Sequence, residues 1–178
     1  PGTKNTIEDL LWLREQGLDR WIGDQHRNGA TIIGICGGYQ MLGQRISDPD
    51  QLESNQGSIE GLQLLPIVTV LRAPKITRSV EASTPLGQSF RAYEIHMGPT
   101  TGSTTLKPLA TLADGRPEGC TPPAIIGTYL HGAFESSAVI SEWLNLEGSA
   151  QSADATYDRL ASWLEHNSRK DVLEALIA

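Results

Sequence analysis

Apolar residues recur along this chain first with a helical period and then in short unbroken runs. Ile7, Leu10, Leu11 and Leu13 follow an approximate helical spacing. Asn5 or Thr6 can cap that helix, and Glu8 and Asp9 fall in its first turn. A second helical pattern carries Leu18, Trp21 and Ile22 and stops near Asn28-Gly29, a helix-end signal. Residues 31–35 then read as a buried apolar strand, and 39–46 as a helix. From 47 to 58 the chain is polar and carries Asp48-Pro49-Asp50, which predicts a loop. Residues 62–83 are rich in β-branched side chains, and 91–96 alternate as a half-buried strand does. Asp114-Gly115 marks a turn ahead of a further strand ending at His131. Three helical stretches close the chain, over roughly 136–146, 153–166 and 169–177. Strands interleaved with helices, without internal repeats or a long linker, predict a layered α/β domain spanning 1–178.

Two of the apolar runs end in reactive side chains. In Gly34-Ile35-Cys36-Gly37-Gly38 the cysteine is flanked by glycines between a strand and a helix, the pattern of the elbow on which hydrolases mount a nucleophile. The sharp turn needs glycine because neighbouring backbone comes close and φ is often positive. A free cysteine ionises only near pH 8.5, so a nearby histidine and the helix N-terminus are expected to favour the thiolate. Far along the chain, Ala124-Ile125-Ile126-Gly127-Thr128-Tyr129-Leu130-His131-Gly132 repeats the arrangement with a histidine. Cysteine and histidine need be adjacent only in space, so Cys36 and His131 form a candidate nucleophile–base pair. The backbone N–H of Gly37, just after the nucleophile, is the natural first oxyanion donor.

Length and composition narrow the classes. With 178 residues the chain can bury a full core, and 39% hydrophobic and 20% charged residues are ordinary for a globular protein. A net charge of −7 without a basic block argues against nucleic acid as a main partner. No run approaches the roughly 18 apolar residues of a membrane span and no signal-peptide pattern is visible, so neither a membrane role nor export is expected. Two cysteines do not make a disulfide framework, which favours reduced thiols and the cytoplasm. Cys120 has neither an elbow nor a nearby histidine and reads as structural. His26 and His166 lie in polar helical surroundings, where a solvated surface is expected, and Trp12, Trp21, Trp143 and Trp163 read as core. No phosphate loop of the form G-x-x-x-x-G-K-[ST] occurs.

Four segments together resemble a known family. Pro1-Gly2-Thr3-Lys4-Asn5-Thr6, Gly34-Ile35-Cys36-Gly37-Gly38-Tyr39-Gln40, Tyr93-Glu94-Ile95-His96-Met97-Gly98 and Gly127-Thr128-Tyr129-Leu130-His131-Gly132 occur in the order seen in the C-terminal, class I (triad-type) glutamine amidotransferase domain of cobyric acid synthase. The resemblance implies a flavodoxin-like, mostly parallel or mixed sheet flanked by helices. It implies that Cys36 and His131 hydrolyse the side-chain amide of glutamine through a thioester. Gln40 would help bind that glutamine, and Gly2 in the Gly2-Thr3 loop would supply a second oxyanion donor. Tyr93–His96 would lie beside the glutaminase pocket or on the face toward a synthetase domain.

The loop at Pro1 follows a strand in the family, so the resemblance further implies that the first strands of the sheet, and a synthetase domain, lie outside this chain. Ammonia would pass to that domain, which would use ATP and Mg to amidate adenosylcobyrinic acid a,c-diamide in cobalamin biosynthesis. No cofactor or metal is expected in the domain read here.

One departure stands out. Most class I glutaminases carry a glutamate two residues after the histidine, and here that position is Ala133. Glu94 and Glu135 are candidates for the third triad member, and a dyad with a backbone or water partner is the alternative. Neighbouring readings are the amidotransferase part of cobyrinic acid a,c-diamide synthase or of the enzyme that amidates lipid II, and, in another class, an inactive docking module.

Overall fold

The computed structural model describes residues 1–102, 106–145 and 153–167, in two compact units, Pro1–Ala133 and Phe134–Ala178. In the first unit, α1 (Thr6–Glu15) starts where Asn5 accepts a hydrogen bond from the Glu8 N–H, and it buries Thr6, Ile7 and Leu10. Gly17, at φ 69°, turns the chain into α2 (Leu18–Arg27), which ends at Asn28-Gly29. There follow β1 (Ile32–Ile35), α3 (Gly37–Met41), β2 (Arg45–Ser47), β3 (Ser58–Glu60), β4 (Ile67–Val70), β5 (Lys75–Ser83), β6 (Ser89–Met97), β7 (Thr100–Gly102), β8 (Ala110–Leu112), β9 (Pro117–Glu118), β10 (Ile125–Thr128) and β11 (Leu130–His131). In the second unit, α4 (Ser137–Leu144) is capped by the Ser136 hydroxyl, and α5 spans Ala153–Asn167. The helical stretch read at 169–177 lies outside the described residues.

Among the described residues the strands form three sheets, one of them of mixed sense. β1 and β10 pair in parallel, with Ile35 opposite Thr128. A four-stranded sheet runs β3-β2-β4-β7, with β2 and β4 parallel. A five-stranded antiparallel sheet runs β11-β6-β5-β8-β9. The apolar run ending at His131 is therefore two strands, because the chain leaves β1 at Tyr129 and joins β6 as β11.

Glycine at two positions lets α3 lie directly on the β1–β10 pair. A Cβ on Gly127 would stand 2.2 Å from the Tyr39 ring, and one on Gly34 would stand 2.6 Å from Leu42 Cδ1. Tyr39 and Leu42 pack there with Leu65, Ile67, Cys120, Ile125 and Tyr129. Met41, on another side of the same turn, joins Ile7, Leu10, Ile46 and Leu71 in a second cluster. Each large apolar side chain buried in this way contributes about 1.5–3 kcal/mol.

Several expectations change. The helix after Cys36 begins two residues earlier than the pattern implied and ends at Met41, since Gln44 bonds to the Ile67 carbonyl and Arg45–Ser47 pairs with two strands. Ile33 in β1 is exposed, because among the described residues β10 is the only strand beside β1. Trp12 and Trp21 are more than half exposed. Trp12 falls two residues past Leu10 and so on the far side of α1. Trp163 is likewise exposed, while Trp143 meets Phe134 edge-to-face at 5.6 Å. His26 is half-buried with its Nδ1 unpartnered, and His166 is exposed as expected. Cys120 is buried in the core as a free thiol.

The polar stretch between β2 and β3 is held by Asp48, which is fully buried and accepts from the N–H groups of Leu52 (2.8 Å), Glu53 (2.8 Å) and Ser54 (3.0 Å). Burial opposes its ionisation, but the three donors outweigh that and hold the carboxyl below its usual range. Replacing Asp48 by alanine leaves three N–H groups unpaired and is expected to cost about 2–4 kcal/mol, measured as a lower midpoint in urea. Because the folded-state value is depressed, Asp48 stabilises fully above the ordinary carboxyl pKa of about 3.9 and loses that contribution as pH falls through the depressed value. The difference in stability between the parent and Asp48→Asn should therefore shrink on acidification below pH ~4; a difference that grows there would contradict it.

Candidate functional site

The site is built on the turn after β1. Cys36 has φ 56° and ψ −114°, a conformation that costs a non-glycine residue on the order of 1–3 kcal/mol unless its surroundings impose it. Here they do. The Cys36 N–H donates to the Thr128 carbonyl at 2.8 Å, the Cys36 carbonyl accepts from Gln40 at 3.1 Å, and the Gly38 N–H donates to the Pro1 carbonyl at 3.0 Å. The turn thus lifts the sulfur off the strand pair and ties it to the N-terminal loop.

That loop and the strand β11 complete the site. A Cβ on Gly2 would stand 3.0 Å from His131 Cε1, 3.3 Å from Cys36 Cβ and 3.8 Å from Cys36 Sγ. The imidazole and the thiol therefore flank one small space closed by Gly2. The backbone N–H groups of Gly37 and Thr3 both face the sulfur. A side chain on Gly37 would collide with Thr3, with Cγ2 only 2.4 Å away, so glycine is required for the two loops to meet. His131 Nε2 is buried and has no hydrogen-bond partner.

The electrostatics differ from the expected thiolate. Burial pushes the Cys36 thiol up; the Gly37 and Thr3 N–H groups and the Lys75 charge pull it down without winning. Burial, with Lys75 acting in the same direction, pushes His131 down. Both shifts favour a thiol beside a neutral imidazole near pH 7.

Gln40 is buried and lines the cavity beside Cys36. The Thr6 hydroxyl donates to its Oε1 at 3.1 Å, and its Nε2 donates to the Met97 carbonyl at 3.5 Å. Cys36, Gln40, Thr3, Glu53, Lys75 and His96 are among the lining residues of this cavity of about 60 Å³. His96 presents Nδ1 to the Gly98 carbonyl (2.8 Å) and Nε2 to Glu94 (3.3 Å), and it stacks on Tyr129. With both ring nitrogens engaged it is a wall of the site rather than its base.

Glu94 does not orient His131. In the β11–β6 ladder Glu94 lies opposite Leu130 while His131 lies opposite Tyr93, so alternation sends the Glu94 carboxylate to the other face. Although burial opposes its ionisation, bonds from Arg78 (2.7 Å), Arg116 (3.3 Å) and His96 hold that carboxyl down at about 2. Glu135 belongs to the second unit.

Motif reading missed Thr3 as the donor facing the sulfur, and it missed Glu53 and Lys75 altogether. Both charged residues come from segments without a motif, a polar loop and the start of a β-branched strand, and only the fold brings them to Cys36. Among the described residues no group of three or more His, Cys, Asp or Glu is placed to hold a metal ion, and no helix is long and apolar enough to cross a membrane.

A mixed α/β fold with a cysteine on a strand-to-helix elbow, a histidine at the end of the neighbouring chain segment and preset N–H donors defines a thiol amidohydrolase-type site. Comparison with known proteins resolves the class: residues 1–139 match the CobB/CobQ-like glutamine amidotransferase domain, and the chain belongs to that family. It is 40% identical over its whole length to cobyric acid synthase of Methylobacterium nodulans. It is 42% identical over 99% of its length to cobyric acid synthase of Brucella canis. The chain spans 38% of the length of each. Among solved structures, a crystal structure of a glutamine amidotransferase superposes with a TM-score of 0.52 at 18% identity, covering 74% of this chain and 67% of the other, which is a likeness of fold.

The thiol's environment is open to a direct check. The alkylation rate of Cys36 by iodoacetamide should be low at pH 7 and climb through and beyond pH 9, its ordinary value being about 8.5 and its folded value pushed up by burial. A rate that reaches its plateau below pH 7 would mean a preformed thiolate. Cys120, 3% exposed, should react only on unfolding.

Proposed function

We propose that this chain is the glutaminase portion of a cobyric acid synthase. The observation that carries the reading is the Cys36 elbow at φ 56° with His131 and the Gly2 loop closing one space around the sulfur. Glutamine places its side-chain amide there. His131 accepts the thiol proton as Cys36 Sγ attacks the amide carbon, which fits a protonated thiol beside a neutral imidazole. The oxyanion is met by the Gly37 N–H and by the loop at Gly2, with the Thr3 N–H as its donor; losing one such donor raises the barrier by about 3–4 kcal/mol. His131 then protonates the departing ammonia, leaving a glutamyl thioester on Cys36, and next activates the water that cleaves it to glutamate. Gln40, fixed by Thr6 and Met97, forms the floor of the glutamine cavity.

The released ammonia passes to a synthetase domain outside this chain, which uses ATP and Mg to amidate adenosylcobyrinic acid a,c-diamide. The two relatives named cobyric acid synthase support this assignment, and so does the absence of a phosphate-loop motif from the sequence. The setting is the cytoplasm, in keeping with two free thiols.

In the full-length protein, Cys36→Ser and His131→Ala should each lower ammonia release from glutamine by at least ~10³-fold. Cys36→Ser should still amidate the corrin when ammonium salt replaces glutamine, because only the ammonia supply is cut. Parent-level ammonia release by either variant would overturn the catalytic assignment. Loss of the ammonium-dependent reaction in folded Cys36→Ser would overturn the division of labour.

A further inference from the structure

His131 is held by little of its own element. β11 is two residues long, Gly132 follows it at φ 80°, and among the described residues the His131 Nε2 has no hydrogen-bond partner. The imidazole is therefore fixed through the stretch before it, Thr128 to Leu130, where the chain leaves β1 and joins β6.

One buried carboxylate holds that stretch. Glu118, in β9, accepts from the Tyr129 N–H at 2.7 Å with one oxygen and from the Thr128 hydroxyl at 2.8 Å with the other. That hydroxyl in turn accepts from the Leu130 N–H at 3.0 Å. A chain that changes sheets takes its N–H groups off one ladder, and each needs a new acceptor when buried. Glu118 supplies both, one directly and one through Thr128. The Thr128 carbonyl meanwhile takes the Cys36 N–H, so the residue that Glu118 grips also sits under the nucleophile's turn. Glu118 is itself anchored on both sides. Its carbonyl accepts from the Leu109 N–H at 2.9 Å, and Cys120 exchanges two bonds with Gly127, at 2.9 and 3.0 Å.

Stability does not account for a carboxyl at this place. Burial pushes it up to about 7, with the Glu94 charge adding to that and the Tyr129 N–H, the Thr128 hydroxyl and the Arg116 charge opposing it. Its folded value lies above the ordinary ~4.3, so Glu118 destabilises the fold increasingly as pH rises from there to about 7. What an ionised carboxylate offers here is two acceptor oxygens on one rigid group.

We propose that Glu118 is a positioning residue for His131: by fixing Thr128, Tyr129 and Leu130 it sets where the imidazole stands relative to the Cys36 sulfur. Its charge is not among those acting on His131, so the influence runs through the backbone. The idea rests on the glutaminase reading for what His131 does, but not for where it stands.

Two measurements on the full-length protein test it. One is steady-state ammonia release from glutamine; the other is the pH titration of the His131 ring resonance by NMR, assigned by its loss in His131→Ala. Burial holds the parent's midpoint below the ordinary ~6.5. Glu118→Leu removes both acceptors. Its kcat should fall by at least ~100-fold, the scale of a displacement of about 1 Å, with KM for glutamine within about 3-fold of the parent. The His131 midpoint should rise toward ~6.5 as the loosened segment exposes the ring. Glu118→Gln keeps an acceptor for the Tyr129 N–H and should recover at least ~10-fold of the lost kcat. Thr128→Val cuts only the hydroxyl link; it should lower kcat about 10-fold and raise the midpoint, and it decides the matter if Glu118→Leu does not fold. Parent-level kcat in folded Glu118→Leu overturns the proposal, and so does a Glu118→Gln no better than Glu118→Leu. A fall in kcat with an unmoved His131 midpoint marks support of the fold alone and overturns it too. If the parent releases no ammonia, the glutaminase reading falls and the midpoints judge the positioning by themselves: raised in Thr128→Val and Glu118→Leu it stands, unmoved it fails.

Discussion

The close approach of one five-residue helix to one pair of parallel strands governs the rest of this structure. α3 sits on β1 and β10 at a distance that only glycine permits, at Gly34 on one strand and Gly127 on the other. That contact drops Tyr39 and Leu42 into one apolar cluster and turns Met41 into the other. Both clusters thereby anchor the helix, and the strained residue at its start is fixed by packing on two sides. An interior packed as densely as a crystal does not absorb a small displacement. The position of the sulfur is therefore a property of the core.

The same burial sets the chemistry. A buried thiol resists ionisation and a buried imidazole resists protonation; at Cys36 burial outweighs the nearby donors and the Lys75 charge, and at His131 the Lys75 charge adds to it. The result is a pair that favours its neutral form near pH 7. The N–H groups of Gly37 and Thr3 face the sulfur but are too weak to ionise the resting thiol; in the proposed reaction they would meet the negative charge that develops on the attacked amide.

How much of this could be read along the chain depends on whether a residue's role is local. Asn5 as a helix cap, the stop at Asn28-Gly29 and the strands before Cys36 and His131 were legible, because each rests on spacing within a few residues. The end of α3 at Met41 was not, because it comes from the pairing of Arg45–Ser47 with strands some 13 to 23 residues away. Trp12, Trp21 and Trp163 misled because a large aromatic at helical spacing says that a helix forms, not which of its faces is covered. Glu94 looked like an orienting carboxylate by its place in a motif. The register of β11 on β6, invisible in the sequence, turned it to the other face.

By itself the sequence determined the glutamine amidotransferase family and singled out Cys36, His131 and Gly37 as candidate nucleophile, base and oxyanion donor, because those need particular residue types in a short fixed order. Tertiary structure alone decided what surrounds them. It chose Thr3 to face the sulfur, assigned Glu94 to two arginines and a histidine, and brought Glu53 and Lys75 to the same wall from a polar loop and a strand with no motif. Charges act through space, over distances that chain order does not encode. A site's electrostatics therefore become readable only when the fold has set those distances.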